Sequence, residues 1–241
     1  MGLNAASNPS PAENVQAGIR KRFVQIALHW LILAACLFVP AGTLRWPMAW
    51  VYLGTFAGWV VVNAAIMLGR SPELVAERAG GREGAKGWDL VVAGLFMLFA
   101  EPMTLIVAGL NVRFGWTPPV ATWIVIAGLT LWVVGNALFS WAMFSNAYFS
   151  AQVRIQADRG HAVATGGPYR VVRHPGYVGA ILSAVGRPLM LGSAWALIPA
   201  ALGIAFLAVR TAVEDRTLHE ELDGYDLYAR RVRYRLIPGI W

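Results

Sequence analysis

The sequence predicts an all-α integral membrane protein of about six transmembrane helices, the last two a short hairpin, followed by a cytoplasmic C-terminal helical segment. Three observations carry this. Hydrophobic residues make up 57% of the chain and charged residues only 14%, a balance foreign to soluble domains. Four apolar runs, 23–43, 48–68, 88–110 and 120–144, have the length of about 20 residues needed to cross a hydrocarbon core. The basic residues also alternate from loop to loop. Arg20, Lys21 and Arg22 precede the first run; Arg70, Arg78, Arg82 and Lys86 follow the second. Arg154, Arg159, Arg170 and Arg173 follow the fourth, and Arg210, Arg216, Arg230, Arg231, Arg233 and Arg235 follow the last. By the positive-inside rule these loops and both termini are cytoplasmic, with only Arg45, Arg113 and Arg187 on the other side.

Taken in order, residues 1–19 are rich in Pro, Asn, Ser and Gly and lack an apolar core, so they read as a disordered tail and not a cleavable signal. Ala6 stands where a myristoylation motif requires Ser or Thr. The single cysteine, Cys36, lies within the first span and is silent on redox compartment. The outer connections, 44–47 and 111–119, are short. The inner connection, 69–87, is longer; Ser71 and Pro72 suit the cap and first turn of a brief surface helix, and the glycines at 80–84 read as a flexible loop. Residues 177–210 form an apolar stretch that as one helix would run about 51 Å, against a core of about 30 Å. It must fold back. Gly192 and Ser193 are turn residues at its midpoint, which predicts a hairpin with short arms at 177–191 and 195–209 and places Arg187 at an interface.

The net charge of +7 is scattered among spans and forms no stripe, so nucleic acid is excluded as a partner. His29, His161 and His219 have no ligand spacing with one another or with Cys36, so no metal site is expected. Glu101, mid-span beside Pro102, reads equally as a functional acid and as the repair of a kink, paired with His29 or a backbone group. Asn63, Asn136 and Ser140 read as hydrogen-bonding residues between helices. The glycines at 54, 58, 128 and 135 would allow close helix packing.

Two polar stretches flank the hairpin. In GGPYRVVRHPGYVG, Pro175 forbids a helix at His174 and suits the first turn of one beginning there, which leaves the N–H groups of Gly176 and its successors facing an anion-friendly helix end. Arg173 is placed to clamp a carboxylate. The plainer account is an interfacial anchor of Arg and Tyr at headgroup depth. In EDRTLHEEL, Glu214 and Asp215 follow the last span with Leu218 and Leu222 one and two turns on. They suit a cationic ligand; a salt-bridged face with Arg210, Arg216 or the basic loop 154–173 explains them as well.

Together, Arg173-His174-Pro175-x-Tyr177-x-Gly179, the apolar hairpin, and Glu214-Asp215-x-x-Leu218 resemble the signature of the isoprenylcysteine carboxyl methyltransferase family and its bacterial relatives. The resemblance covers about the last hundred residues. It departs at Asp215, where the family usually has a second glutamate. Beside the tail 1–19 and the four transmembrane helices in 20–145 that composition predicts, it implies a cofactor-binding catalytic region in 146–241 that includes the hairpin 177–209. It further implies S-adenosyl-L-methionine as cofactor, held by Tyr169, Arg173, His174, Pro175, Tyr177, Gly179, Glu214 and Asp215. Arg173 and Glu214 are the expected catalytic residues, with Tyr225, Tyr228 and Arg233 as further wall candidates. The implied partners are membrane lipid and a lipophilic methyl acceptor. An ionised carboxylate acceptor needs no general base, whereas a phospholipid amine or small thiol would need one from His174, Glu214 or Glu101. A sterol-type NADPH reductase and a non-catalytic membrane protein are the alternatives; paired acids fit a cation better than a pyrophosphate.

Overall fold

A computed structural model describes residues 11–70, 86–150, 152–156 and 160–241, and among these all regular structure is helical. Helix α1 spans Pro11–Ala41 and α2 Pro47–Arg70. Helix α3, Gly87–Leu98, runs through a π-helical turn at Phe99–Met103 into α4, Thr104–Phe114. Helix α5 is Thr122–Phe144; after a polar loop and a 3₁₀ turn at Gly167–Arg170 come α6, Pro175–Met190, and α7, Leu197–Glu221. Helix α8, Tyr225–Arg231, precedes a C-terminal segment without regular structure.

Five of the described helices are long and apolar enough to cross a membrane: Val15–Ala41, Pro47–Gly69, Gly87–Phe114, Thr122–Phe144 and Leu197–Glu221. Their outward faces carry exposed Val39, Val61, Trp123 and Ile126. Apolar surface of that extent calls for lipid as solvent, and the chain is a multi-pass membrane protein.

Three expectations change. Residues 11–19, assigned to a disordered tail, are the first turns of α1, because the helix already begins at Pro11, a residue suited to a helix's first turn. The hairpin is unequal. Its turn lies at Gly192 as expected, in the left-handed conformation with φ of 69°. The first arm, α6, is only 16 residues, or about 24 Å. The second is a 25-residue span that continues through Glu214 and Asp215, because nothing between Leu197 and Glu221 breaks a helix once Pro199 is accommodated in its first turn. Arg187 is not interfacial. It is buried, donating to the carbonyl of Ala100 and approaching Glu101 at 3.5 Å. The surface helix expected after Ser71 and the glycine loop at 80–84 lie outside the described residues.

Glu101 takes the pairing role, with His29 as its partner, beside a kink that Thr104 repairs. Pro102 removes a backbone donor, the helix widens into the π turn, and Thr104 Oγ1 donates to the Phe99 carbonyl at 2.9 Å. The Glu101 carboxylate meanwhile meets His29 Nε2 at 3.2 Å and accepts from the Tyr52 hydroxyl at 3.2 Å. It thus ties α1, α2 and α6 to the π turn.

The closest helix pair is α5 with α6, and small residues permit it. A Cβ on Gly186 would lie 2.5 Å from the Trp132 backbone nitrogen and 2.6 Å from the Gly128 carbonyl oxygen; one on Gly179 would lie 2.5 Å from the Gly135 carbonyl oxygen. Asn136 Nδ2 reaches Ser183 Oγ across this seam at 3.1 Å, and Trp59 Nε1 reaches Ser140 Oγ at 2.8 Å. Asn63, by contrast, bonds within its own helix, to the Trp59 carbonyl. Gly54 and Gly58 face open space, so the close packing expected of them is absent. Gly186→Ala is expected to destabilise the protein by about 1–3 kcal/mol, since only backbone could yield, whereas Gly54→Ala should leave it unchanged; thermal unfolding of the two variants in detergent checks the contrast.

Candidate functional site

The site forms where the end of α5, the start of α6, the end of α7 and α8 meet. Pro175 occupies the first position of α6, so the chain enters that helix sharply after His174 and presents residues 173–177 to the last turns of α7. The C-terminal segment then returns over them: the Arg173 N–H donates to the Tyr234 carbonyl at 2.9 Å and the His174 N–H to that of Arg235 at 3.0 Å. Apolar packing of Tyr169, Leu222, Tyr225, Tyr228 and Val232 holds α8 underneath.

Asp215 is the centre of this assembly and is 0% exposed. Arg173 grips it with two prongs, Nε to Oδ1 at 2.8 Å and Nη2 to Oδ2 at 2.9 Å. Arg235 Nε reaches Oδ2 at 2.7 Å, the Tyr225 hydroxyl donates to Oδ1 at 2.8 Å, and His174 Nε2 lies 3.3 Å from Oδ1. Arg173 Nη1 donates in addition to the carbonyls of Val232, at 3.2 Å, and Arg233, at 3.0 Å. So the carboxylate clamp expected of Arg173 is made, but on the protein's own Asp215. Burial and the Asp215 charge hold the Tyr225 hydroxyl far above the ordinary phenol range, so it remains a donor at neutral and alkaline pH.

Glu214 is the neighbouring acid and has a different situation. It is half-buried, lines a cleft, and accepts a hydrogen bond from the Tyr177 hydroxyl. The Tyr177 ring stacks on His174, with centroids 5.5 Å apart and planes 4° from parallel, and carries the Arg210 guanidinium over it at 5.4 Å. The opposite wall is the loop that follows α5. Tyr148 packs on His161 with ring centroids 4.6 Å apart, Gln156 Nε2 donates to the Tyr148 carbonyl at 2.8 Å, and the Gln156 N–H donates to His161 Nδ1 at 3.2 Å. Burial pulls the His161 imidazole below its usual value. The floor is Leu218, Leu222, Tyr225 and Tyr228, with Tyr169 at the end. Tyr228 donates to the Tyr169 carbonyl at 2.8 Å, and burial pushes the Tyr169 hydroxyl up to about 12.

Of the residues singled out in the sequence, Tyr169, Arg173, His174, Tyr177 and Glu214 come together on the cleft, as do Tyr225 and Tyr228. Four do not face it. Asp215 is sealed beneath Arg173, Pro175 starts the helix, Gly179 is a packing residue against α5, and Arg233 lends its carbonyl to Arg173 Nη1. The first-turn amides of α6 are only partly available, since the Tyr177 N–H is taken by the His174 carbonyl at 3.0 Å. The polar stretch after α5 is distinctive in the sequence, but nothing there assigns Tyr148 and His161 to a wall, since no spacing rule relates a loop to a helix that follows it. Helical spacing alone would pair Arg210 along its own helix. The partner is Asp89 on α3, with Arg210 Nε to Oδ1 at 2.6 Å.

Residues 127–220 match the model of the isoprenylcysteine carboxyl methyltransferase family. Protein-S-isoprenylcysteine O-methyltransferase B of Arabidopsis thaliana is 31% identical over 113 residues, covering 46% of this chain and 57% of that protein. A probable protein-S-isoprenylcysteine O-methyltransferase of Oryza sativa subsp. indica is 25% identical over 182 residues, 72% of this chain and 92% of the rice protein. The Rattus norvegicus protein-S-isoprenylcysteine O-methyltransferase is 32% identical over 102 residues, 42% of this chain and 34% of the rat protein. The matched segment runs from within α5 to the end of α7 and so contains the seam, the Arg173-His174-Pro175 entry and both acids, and over it this chain is similar to the isoprenylcysteine carboxyl methyltransferase family.

Proposed function

We propose that the chain transfers a methyl group from S-adenosyl-L-methionine to a lipophilic acceptor bearing a carboxylate of the isoprenylcysteine kind, at the cytoplasmic face of the membrane. The observation that carries this reading is Glu214, a half-buried acid on a cleft walled by the aromatic rings of Tyr148, Tyr169, Tyr177 and Tyr228. A negative charge among aromatic faces suits a ligand that is cationic and partly apolar, as a sulfonium with an ammonium group is. It does not suit the pyrophosphate of a nicotinamide cofactor, which disfavours the reductase alternative.

Bound there, S-adenosylmethionine would supply an activated methyl group, with its sulfur departing as a thioether. Glu214 holds the ligand's ammonium end, with Tyr177 fixing the carboxylate's direction. The rings of Tyr148 and Tyr169 and the side chains of Leu218 and Leu222 keep water from the reacting centre. An acceptor carboxylate is ionised at neutral pH and brings the negative charge that the transfer consumes, so none of these residues has to remove a proton. Arg173 and Asp215 act from behind, holding the C-terminal segment across the entry to α6. The basic loops at 20–22 and 154–173 give this face its orientation, with both termini cytoplasmic.

Calorimetry on the detergent-purified protein tests the reading. Saturable binding of S-adenosylmethionine and S-adenosylhomocysteine, with none of NADPH, is expected. Binding of NADPH alone would move the protein to the reductases, and binding of none of the three would reduce the cleft to a membrane anchor.

A further inference from the structure

We propose that Asp89, on α3 and outside the family-matched segment, is a positioning residue for the cleft; this rests on the methyltransferase reading above. Asp89 is fully buried at the start of its helix. Oδ1 accepts from Arg210 Nε at 2.6 Å, and Oδ2 accepts from Arg210 Nη2 at 3.1 Å and from the Val153 N–H at 2.8 Å. One carboxylate therefore fastens two walls, because Val153 lies on the cleft's loop and Arg210 lies on α7 behind Tyr177.

The consequence concerns Glu214. Arg210 and Glu214 stand four residues apart on α7, the spacing at which opposite charges on a helix meet. A buried guanidinium requires a counter-charge. Asp89 supplies it in a two-pronged geometry that draws Arg210 toward α3, beside the Tyr177 ring, so that the guanidinium's prongs are engaged by Asp89 and the Glu214 carboxylate stays on the cleft to meet a cationic ligand. Without the Asp89 charge, Arg210 would turn to Glu214 as the next carboxylate within reach, and the cleft would lose its attraction for an ammonium. A residue that merely glued α3 to α7 would lower thermal stability and leave ligand affinity alone.

A double-mutant cycle with S-adenosylhomocysteine as the probe separates the two roles. Asp89→Asn is expected to weaken binding about tenfold, and adding Glu214→Gln to it should weaken binding by less than about threefold more. Gly203→Ala serves as the stability control: its Cβ would meet the Ala100 backbone nitrogen at 2.7 Å, far from the cleft. It is expected to lower the melting temperature and keep wild-type affinity. Should Asp89→Asn fail to fold, Arg210→Lys, which loses the two-pronged grip and frees the cation, takes its place in the same cycle. Binding by Asp89→Asn within about twofold of wild type overturns the proposal. So do losses that multiply with those of Glu214→Gln, or an equal loss in Gly203→Ala. A wild-type protein that binds no S-adenosylhomocysteine overturns the methyltransferase reading itself and this proposal with it.

Discussion

Replacing Asp215 by alanine is expected to cost about 3–5 kcal/mol of stability and to release the C-terminal segment. The change leaves the guanidinium of Arg173, with 8% side-chain exposure, and that of Arg235 without their shared counter-charge. It also strips an acceptor from the buried Tyr225 hydroxyl. Breaking one member out of a buried ion pair is far more costly than never having built it, because the remaining charge is stranded in a medium that solvates it poorly. The tail from Tyr225 onward is held by these bonds and by two backbone contacts to residues 173 and 174, so it should come away first. Trypsin should then cut faster than in wild type after Arg230 and Arg231, which end α8, and after Arg233 beyond it, and the cleft should lose its floor and its ligand. Unchanged thermal unfolding together with unchanged tryptic resistance would mean that Asp215 is not the hub its geometry makes it. Asp215→Glu keeps the charge but adds a methylene in a site where both oxygens are already at 2.7–2.9 Å from their donors. An intermediate loss is expected, unless the tail shifts outward to admit the longer side chain.

Glu214→Gln is expected to do the opposite: little loss of stability and a large loss of affinity. Glutamine preserves shape and can still accept from the Tyr177 hydroxyl, but the charge is gone. A hydrogen bond between charged partners is worth about 1.5–3 kcal/mol, which corresponds to roughly 10–100-fold in dissociation constant. Titrating both S-adenosylmethionine and S-adenosylhomocysteine identifies what the carboxylate reads. The two share an ammonium group and differ at the sulfur, which is cationic only in the first. Equal losses for both are expected, since Glu214 is assigned to the ammonium end. A loss confined to S-adenosylmethionine would place the acid beside the sulfonium instead, and full affinity for both would remove Glu214 from the site.

The opposite fates of two adjacent acids show where the sequence stops being informative. Consecutive residues on a helix point about 100° apart. At that spacing Leu218 and Leu222 lie about 40° and 80° from Glu214 and about 60° and 20° from Asp215, so the pattern sets both acids beside one face and does not choose between them; the cleft takes Glu214 with Leu218 and Leu222. Which neighbour receives Asp215 depends on how α6 and the C-terminal tail lie across α7, and helical periodicity contains no trace of that crossing.

What the sequence determined by itself is what depends on composition and local backbone chemistry. The all-helical membrane architecture follows from apolar runs of bilayer length, the turn at Gly192 from a residue tolerant of a positive φ, and the entry to α6 from a proline that can only begin a helix. The two polar stretches that build the site were likewise legible, because polar residues so close to a membrane need a reason to be there. Tertiary structure alone decided the charge pairing: Arg173 with Asp215 across 42 residues, Arg210 with Asp89 across 121, Arg187 with Glu101 across 86. Buried charges in a low-dielectric interior must find partners, but many arginines compete for few acids. The choice among them is made by helix rotation and crossing, which side-chain packing sets and no single segment encodes.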